Sequence, residues 1–500
     1  MVLRDLHPDT DQRPDGGPRR EPASFRDPAN RVFYAGGEVL RGLGPSAVED
    51  WAALSGSRFF PRLVGEGKIC ATEPADPALL AGVLAGAAGP GEAPGAQEWD
   101  LVLRHERIPF VSYPYEWGFA MLRDAALLHL EILLAALAEG ITTKDGSAYN
   151  LQWRGAAPVF IDVGSFERAR DGEPWAGYRQ FCQTMLYPLL LQAHLGVAFQ
   201  PWLRAQIDGI EPGQLRKVFG GARRFKPGVL KHVHLHDAMQ ARFSGNTTQS
   251  VRADLRAAGF SHELTMATVR AVQKLVGKLD WQPPDTHWAG YQETCTYTAD
   301  DRGRKVEFVG RALTEAAAAA AGGELGLVMD LGANDGTYSR IAAEHARYVV
   351  ALEFDDAVVD RFFRKLSAEG QRRILPLVMD LANPSPGIGW RGRERASLEQ
   401  RGPADAVLAL AVIHHLAIGR NVPLPDVVDW LATLGRRVVV EFVDPTDPMA
   451  QRLLANKPAG LFADYRRDHF ERVLAERFTI ASREELPSGT RVMYAGIPRG

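Results

Sequence analysis

Residues 328–340 read VMDLGANDGTYSR. An apolar run closes on Asp330, a Gly-x-x-x-Gly turn runs from Gly332 to Gly336, and a polar, helix-compatible stretch follows. The two glycines let backbone approach a ligand closely, and the first turn of a helix offers N–H groups with no intrahelical partner. Asp330, at a strand end, is suited to accept hydrogen bonds from an ammonium group. The turn is not the G-x-G-x-x-G of dinucleotide binders. From residue 325 onward strands and helices alternate: LGLVMDL, SRIAAEHA, YVVALEF, AVVDRFFRKLSAEG, ILPLVMDL, AVLALAVIHHL, PDVVDWLATLG and RVVVEFV. Strands this uniformly apolar are buried on both faces, which predicts a parallel sheet flanked by helices.

Two further acids close successive strands. Glu353 ends YVVALE about 20 residues on, where an acid in a doubly wound sheet chelates two ribose hydroxyls. Asp380 ends LPLVMD, where a carboxylate can accept an exocyclic adenine amine. On these residues the segment 325–500 resembles the class I S-adenosylmethionine-dependent methyltransferases. VMDLGANDG looks like their first motif, Glu353 like the ribose acid and Asp380 like the adenine-side acid. The resemblance implies a Rossmann-like seven-stranded sheet and S-adenosylmethionine as methyl donor, held by Asp330, Gly332, Asn334, Gly336, Glu353 and Asp380. The run RFTIASREELPSGTRVMYAGIP fits the closing antiparallel hairpin of that fold.

After the fourth strand comes LALAVIHHLAIGRNVPLP, in a loop that faces both donor and acceptor in this fold. Moving a methyl group to a hydroxyl or a carbon acid requires removal of a proton, and histidine titrates in the right range. His414 and His415 are therefore the candidate bases, with Glu441 and the loop 461–470 as further acceptor-side candidates. No NPPY or DPPY run follows the fourth strand, which favours an oxygen or carbon acceptor over an amino group.

A second constellation lies upstream, in ITTKDGSAYNLQWRGAAPVFIDVG (141–164). Protein kinases place a base and two metal ligands as H-R-D-x-x-x-x-N and then D-F-G. Asp145, Asn150 and Asp162 stand at those positions, with Asp145 as base and Asn150 and Asp162 as metal ligands. The stretch 29–260 therefore resembles a kinase-like fold. Thr143 and Lys144 replace the usual His-Arg, no convincing glycine loop precedes them, and Lys68 has no assignable glutamate partner. The expected organisation is a flexible tail (1–28), a kinase-like α+β domain (29–262), a helical connector (263–324) and the methyltransferase domain (325–500). The two-part layout also resembles bacterial nodulation-protein-like methyltransferases.

Bulk properties bound the alternatives. A net charge of −3 over 500 residues gives no reason to expect a nucleic-acid partner. The most apolar segment, 124–139, is too short and too charged to span a bilayer, so no membrane partner is expected. Cys70, Cys182 and Cys295 are far apart and odd in number, which points to a reducing, cytoplasmic setting. His232, His234 and His236, with Asp237 beside them, would share a metal-binding face on a strand and splay on a helix. The expected function is methyl transfer to an oxygen or carbon acceptor, a small molecule first and a peptide or glycan next. The rivals are a Mg-ATP-dependent phosphotransferase or bifunctional enzyme using Asp145, Asn150 and Asp162, and a non-catalytic cofactor-binding regulator.

Overall fold

The computed structural model describes residues 19–76, 79, 99–170, 173–236, 261–283 and 297–499. The first 18 residues of the expected tail, together with Asp237 and Cys295, lie outside the described residues. The chain forms two compact units that meet in sequence at Gln282 and Pro283.

The first unit carries an antiparallel sheet in the order β1 (Arg19–Arg20), β2 (Asn30–Ala35), β3 (Glu38–Leu43), β5 (Leu101–His105), β4 (Thr72–Pro74). The run RLVGEG lies mostly within a helix (Phe59–Gly65). Phe59, Phe60 and Leu63 are buried there, a spacing that only a helix turns to one side. Helix α1 (Phe119–Leu137) is apolar nearly all round and buries 13 of its 19 residues, as a helix in the middle of a core must. Gly140 follows with φ 73°, a left-handed exit that favours glycine. Two short pairings come next, β6 (Ile141–Thr143) with β9 (Phe166–Arg168) and β7 (Leu151–Arg154) with β8 (Ala157–Phe160). Helix α2 (His262–Lys278) packs on α1. No helix among the described residues is long and apolar enough to cross a membrane.

The second unit is built on one seven-stranded sheet, ordered β12 (Ile374–Val378), β11 (Ala346–Glu353), β10 (Leu325–Leu331), β13 (Ala406–Ala409), β14 (Val438–Val443), β16 (Arg491–Pro498), β15 (Phe478–Glu485). Strands β10 to β14 run parallel, and the closing hairpin is antiparallel, with β16 inserted between β14 and β15. All residues of β10 and β14 are buried, which accounts for their unbroken apolar runs. Helices α3 (Ala299–Ala318), α4 (Thr337–His345), α5 (Asp356–Ala368), α6 (Leu424–Leu434) and α7 (Arg467–Arg477) accompany the sheet. The strand order reverses between β10 and β13, and ligands of open α/β sheets bind outside the strand ends at such a switch point.

Candidate functional site

At the switch point the turn after β10 is held tightly. The N–H groups of Gly332 and Ala333 both donate to the Leu352 carbonyl, at 2.8 and 3.0 Å. Gly332 and Gly336 adopt φ of 74° and 81°, and Asn334 joins them in the left-handed region at 49°. A Cβ on Gly336 would strike the Phe362 ring of α5, so only glycine lets the turn close against that helix. Asp330 is 2% exposed, and its Oδ2 accepts from the Ser339 hydroxyl at 2.6 Å. Burial pushes its carboxyl up to about 6, with Ser339 and the charge of Lys305 pulling the other way.

Glu353 is fixed by two backbone donors, Asn334 N–H to Oε2 and Asp355 N–H to Oε1, each at 3.0 Å. Burial raises its carboxyl above the usual range against those donors. Asp355 in turn caps α5 by accepting from the N–H groups of Ala357 and Val358, so helix start and site acid are one structure. Asp380 accepts from the Ala382 N–H at 3.0 Å and pairs with Arg420 at 3.1 Å. The Arg420 guanidinium carbon also lies 5.7 Å from the ring centre of Phe354, which is 56% exposed. Sequence reasoning did not single out Phe354 or Arg420. The available signal was a large aromatic directly after Glu353.

The histidine pair sits at the turn after β13, with ring centres 4.1 Å apart. His414 is fully buried, and neither ring nitrogen has a hydrogen-bond partner. Burial holds it well below its usual range, reinforced by His415, Arg491 and Lys305. His415 is pushed down to about 4 by burial and by Arg491. Both imidazoles are therefore neutral at neutral pH.

Arg491 and Lys305 belong to a buried charge network that sequence reasoning reached only at Glu441. Lys305 Nζ lies 2.7 Å from Glu441 Oε2 and donates to the Tyr297 hydroxyl at 2.9 Å. That hydroxyl donates to Glu441 Oε1 at 2.7 Å. Arg491 reaches Glu441 at 3.1 Å and Asp447 at 2.8 Å, its guanidinium carbon 4.0 Å from the Tyr297 ring centre. Burial alone would raise Glu441, but Lys305 and Arg491 hold it below the usual carboxylate range. Burial lowers Lys305 despite that pairing. The helix start sets Lys305 in place: Thr298 and Asp301 form a reciprocal capping box, Asp301 also accepts from Ser488 N–H at 2.9 Å, and Lys305 comes one turn later. In the loop 461–470, Tyr465 is buried and donates to the Val443 carbonyl, and Phe470 stacks on Phe442; both pack the core.

In the first unit the backbone brings the upstream trio together. Lys144 N–H donates to the Ser165 carbonyl and Ile161 N–H to that of Asn150, each within 2.9 Å. Asp145 Oδ1 accepts from the Ser147 N–H, and Asn150 Nδ2 is buried without a partner. Asp162 pairs with Arg41 of β3 at 2.9 Å, and the other guanidinium nitrogens of Arg41 bond Asn30 and His105. A fixed cation thus already serves the carboxylate expected to hold a metal. Lys68 does have glutamate partners, Glu131 of α1 at 2.6 Å and Glu66 at 2.9 Å. His232, His234 and His236 do not converge: they meet the Tyr178 hydroxyl, the Phe219 carbonyl and the Tyr187 hydroxyl, respectively. Among the described residues no group of three or more His, Cys, Asp or Glu is arranged to hold a metal ion.

No family model matches the chain. The nodulation protein NoeA of Rhizobium meliloti (strain 1021) is 32% identical over 482 residues, which are 95% of this chain and 96% of that protein. Among solved structures, the N-methyltransferase NodS of Bradyrhizobium japonicum WM9 is 9% identical, covering 40% of this chain and 98% of its own, with a TM-score of 0.30. The magnesium protoporphyrin IX methyltransferase of Synechocystis PCC 6803 with bound SAH is 17% identical, covering 42% and 93%, with a TM-score of 0.29.

Proposed function

This chain belongs to the family of the nodulation protein NoeA, and on that premise we propose that its second unit is an S-adenosylmethionine-dependent methyltransferase acting on an oxygen or carbon acceptor. The observation that carries the reading is the row of three acids at successive strand ends, with Asp330 buried and pushed up to about 6. The cost of keeping so buried a carboxylate charged is offset by a bound ammonium. Glu353, aimed by two backbone N–H groups, receives ribose hydroxyls, and the turn 332–336 lets the ligand lie against backbone. Asp380 takes the adenine edge, and the exposed Phe354 ring its face.

The bound donor supplies an electrophilic methyl group on a sulfonium. The residues of the chain then orient the acceptor and remove its proton. His414 is neutral and buried, with an imidazole nitrogen free to accept a proton from an acceptor hydroxyl or carbon acid. The neighbouring Lys305 and Arg491 oppose a lasting imidazolium, so the proton leaves His414 for solvent as the methylated product departs. We assign acceptor selection, for a small molecule, to the first unit. A phosphotransfer reading, with Mg-ATP held by Asn150 and Asp162 and Asp145 as base, has the Lys68–Glu131 pair in its favour. The Arg41–Asp162 pair speaks against it.

Titration calorimetry of the full chain with S-adenosylmethionine tests the proposal. Saturable binding is expected, weakened at least tenfold in Glu353→Ala. Absence of binding, or binding untouched by that substitution, overturns it.

A further inference from the structure

The segment 212–236 contains six Lys and Arg residues and no Asp or Glu, in a chain whose net charge is −3. Lys217, Arg223, Arg224, Lys226 and Lys231 are all exposed, and among the described residues none of the five has a carboxylate partner. Elsewhere in the described chain, exposed arginines such as Arg304, Arg477 and Arg483 sit against acids. Three large apolar side chains stand out among the cations: Phe225 is 67% exposed, Leu235 53% and Leu230 45%. Leu230 and Leu235 open and close a π-helical turn, where residues five apart face the same way. Arg224 lies over Phe225, its guanidinium carbon 4.7 Å from the ring centre.

This exposure is not the looseness of an unanchored loop. Val229 and Val233 are buried, and His232 and His234 bond the Tyr178 hydroxyl and the Phe219 carbonyl. Tyr187 donates to the His232 carbonyl at 2.8 Å. The polar contacts of His232, His234 and Tyr187 hold the segment in place while apolar side chains and cations face outward.

We propose that this face docks the protein peripherally on an anionic lipid surface, with the cations on headgroup phosphates and Phe225, Leu230 and Leu235 in the interfacial layer. Interleaved cations and large apolar side chains are the chemistry such a surface recognises. A nucleic acid matches less well, because aliphatic leucines offer its bases nothing to stack on and one face of the single aromatic ring is covered by Arg224.

Co-sedimentation of the full chain with vesicles tests this, comparing phosphatidylcholine alone with phosphatidylcholine mixed with phosphatidylglycerol. Binding to the mixed vesicles only, weakening as salt is raised, is expected. The triple variant Arg223→Glu/Arg224→Glu/Lys226→Glu, confined to exposed side chains, should lose about a hundredfold in partitioning with an unchanged melting temperature. Phe225→Ser, which keeps every cation, should lose about tenfold. The proposal is overturned if the wild type does not sediment with anionic vesicles or sediments equally with both kinds. It is equally overturned if the triple variant binds undiminished, or if duplex DNA or RNA competes the protein off the vesicles and Phe225→Ser leaves the nucleic-acid binding intact.

Discussion

Asp330 and His414 are both more costly to the fold than a plain apolar side chain would be, in ways that can be measured. Asp330 has a folded pKa of about 6, above its ordinary 3.8. Its contribution to stability is therefore present below pH 3.8 and lost as pH rises through about 6, a penalty of about 3 kcal/mol at neutral pH. Asp330→Asn keeps a partner for Ser339 and removes the charge. It should raise stability at pH 7 by an amount of that order, lose the gain below pH 4, and abolish donor binding, as urea titrations at the two pH values and calorimetry would report. His414 carries two buried nitrogens without partners. His414→Leu should stabilise the protein by about 1–3 kcal/mol while turnover falls about 10²- to 10⁴-fold. A variant that loses stability and keeps turnover would remove His414 from the proton path. His415 acts with the opposite sign to Asp330: with a folded pKa of about 4, its contribution is present above pH 6.5 and lost as pH falls toward 4. Both histidines could be read in the sequence as a pair after the fourth strand. Which of them is enclosed without a partner depends on Lys305 and Arg491, 109 and 77 residues away from His414 in the chain, and no spacing rule reaches that far.

Elements that repeat a local rule were legible in the sequence, and those defined by distant partners were not. Strands β10, β11 and β12 each announce themselves by an apolar run with an acid at or near its end, because burial on both faces imposes the apolar run. The π-helical turn His415–Gly419 has no such signature. It brings Arg420 round to Asp380 and Phe354, so these contacts emerge only in three dimensions. Helix α3 lies within the expected helical connector, an expectation that says nothing of the lysine entering the sheet's buried network. Removing one partner of a buried pair strands the other. Lys305→Met should therefore cost about 3–5 kcal/mol, and adding Glu441→Leu should restore most of it, because Arg491 keeps Asp447. A double-mutant cycle by denaturant unfolding reads the coupling directly. Costs that simply add would mean that Lys305 contributes through its stem alone.

Across the whole molecule, the two polar constellations in the chain answer differently to ligands. Hydrogen exchange with saturating S-adenosylmethionine should slow the amides of 330–336, 353–356, 380–382 and 412–420 and leave 141–168 unchanged. Mg-ATP should protect neither set, because Arg41 already neutralises Asp162. Protection of 141–168 by Mg-ATP would restore the phosphotransfer reading. The order of strands carries one more consequence. Strand β16 is translated after the other six, yet it lies between β14 and β15 and delivers Arg491 to Glu441 and Asp447. While a ribosome is still making this region, β14 presents an unsatisfied edge, β15 has nothing to pair with, and Glu441 waits for its guanidinium. The interval before β16 joins the sheet is therefore when β14 and β15 present edges open to pairing with other chains.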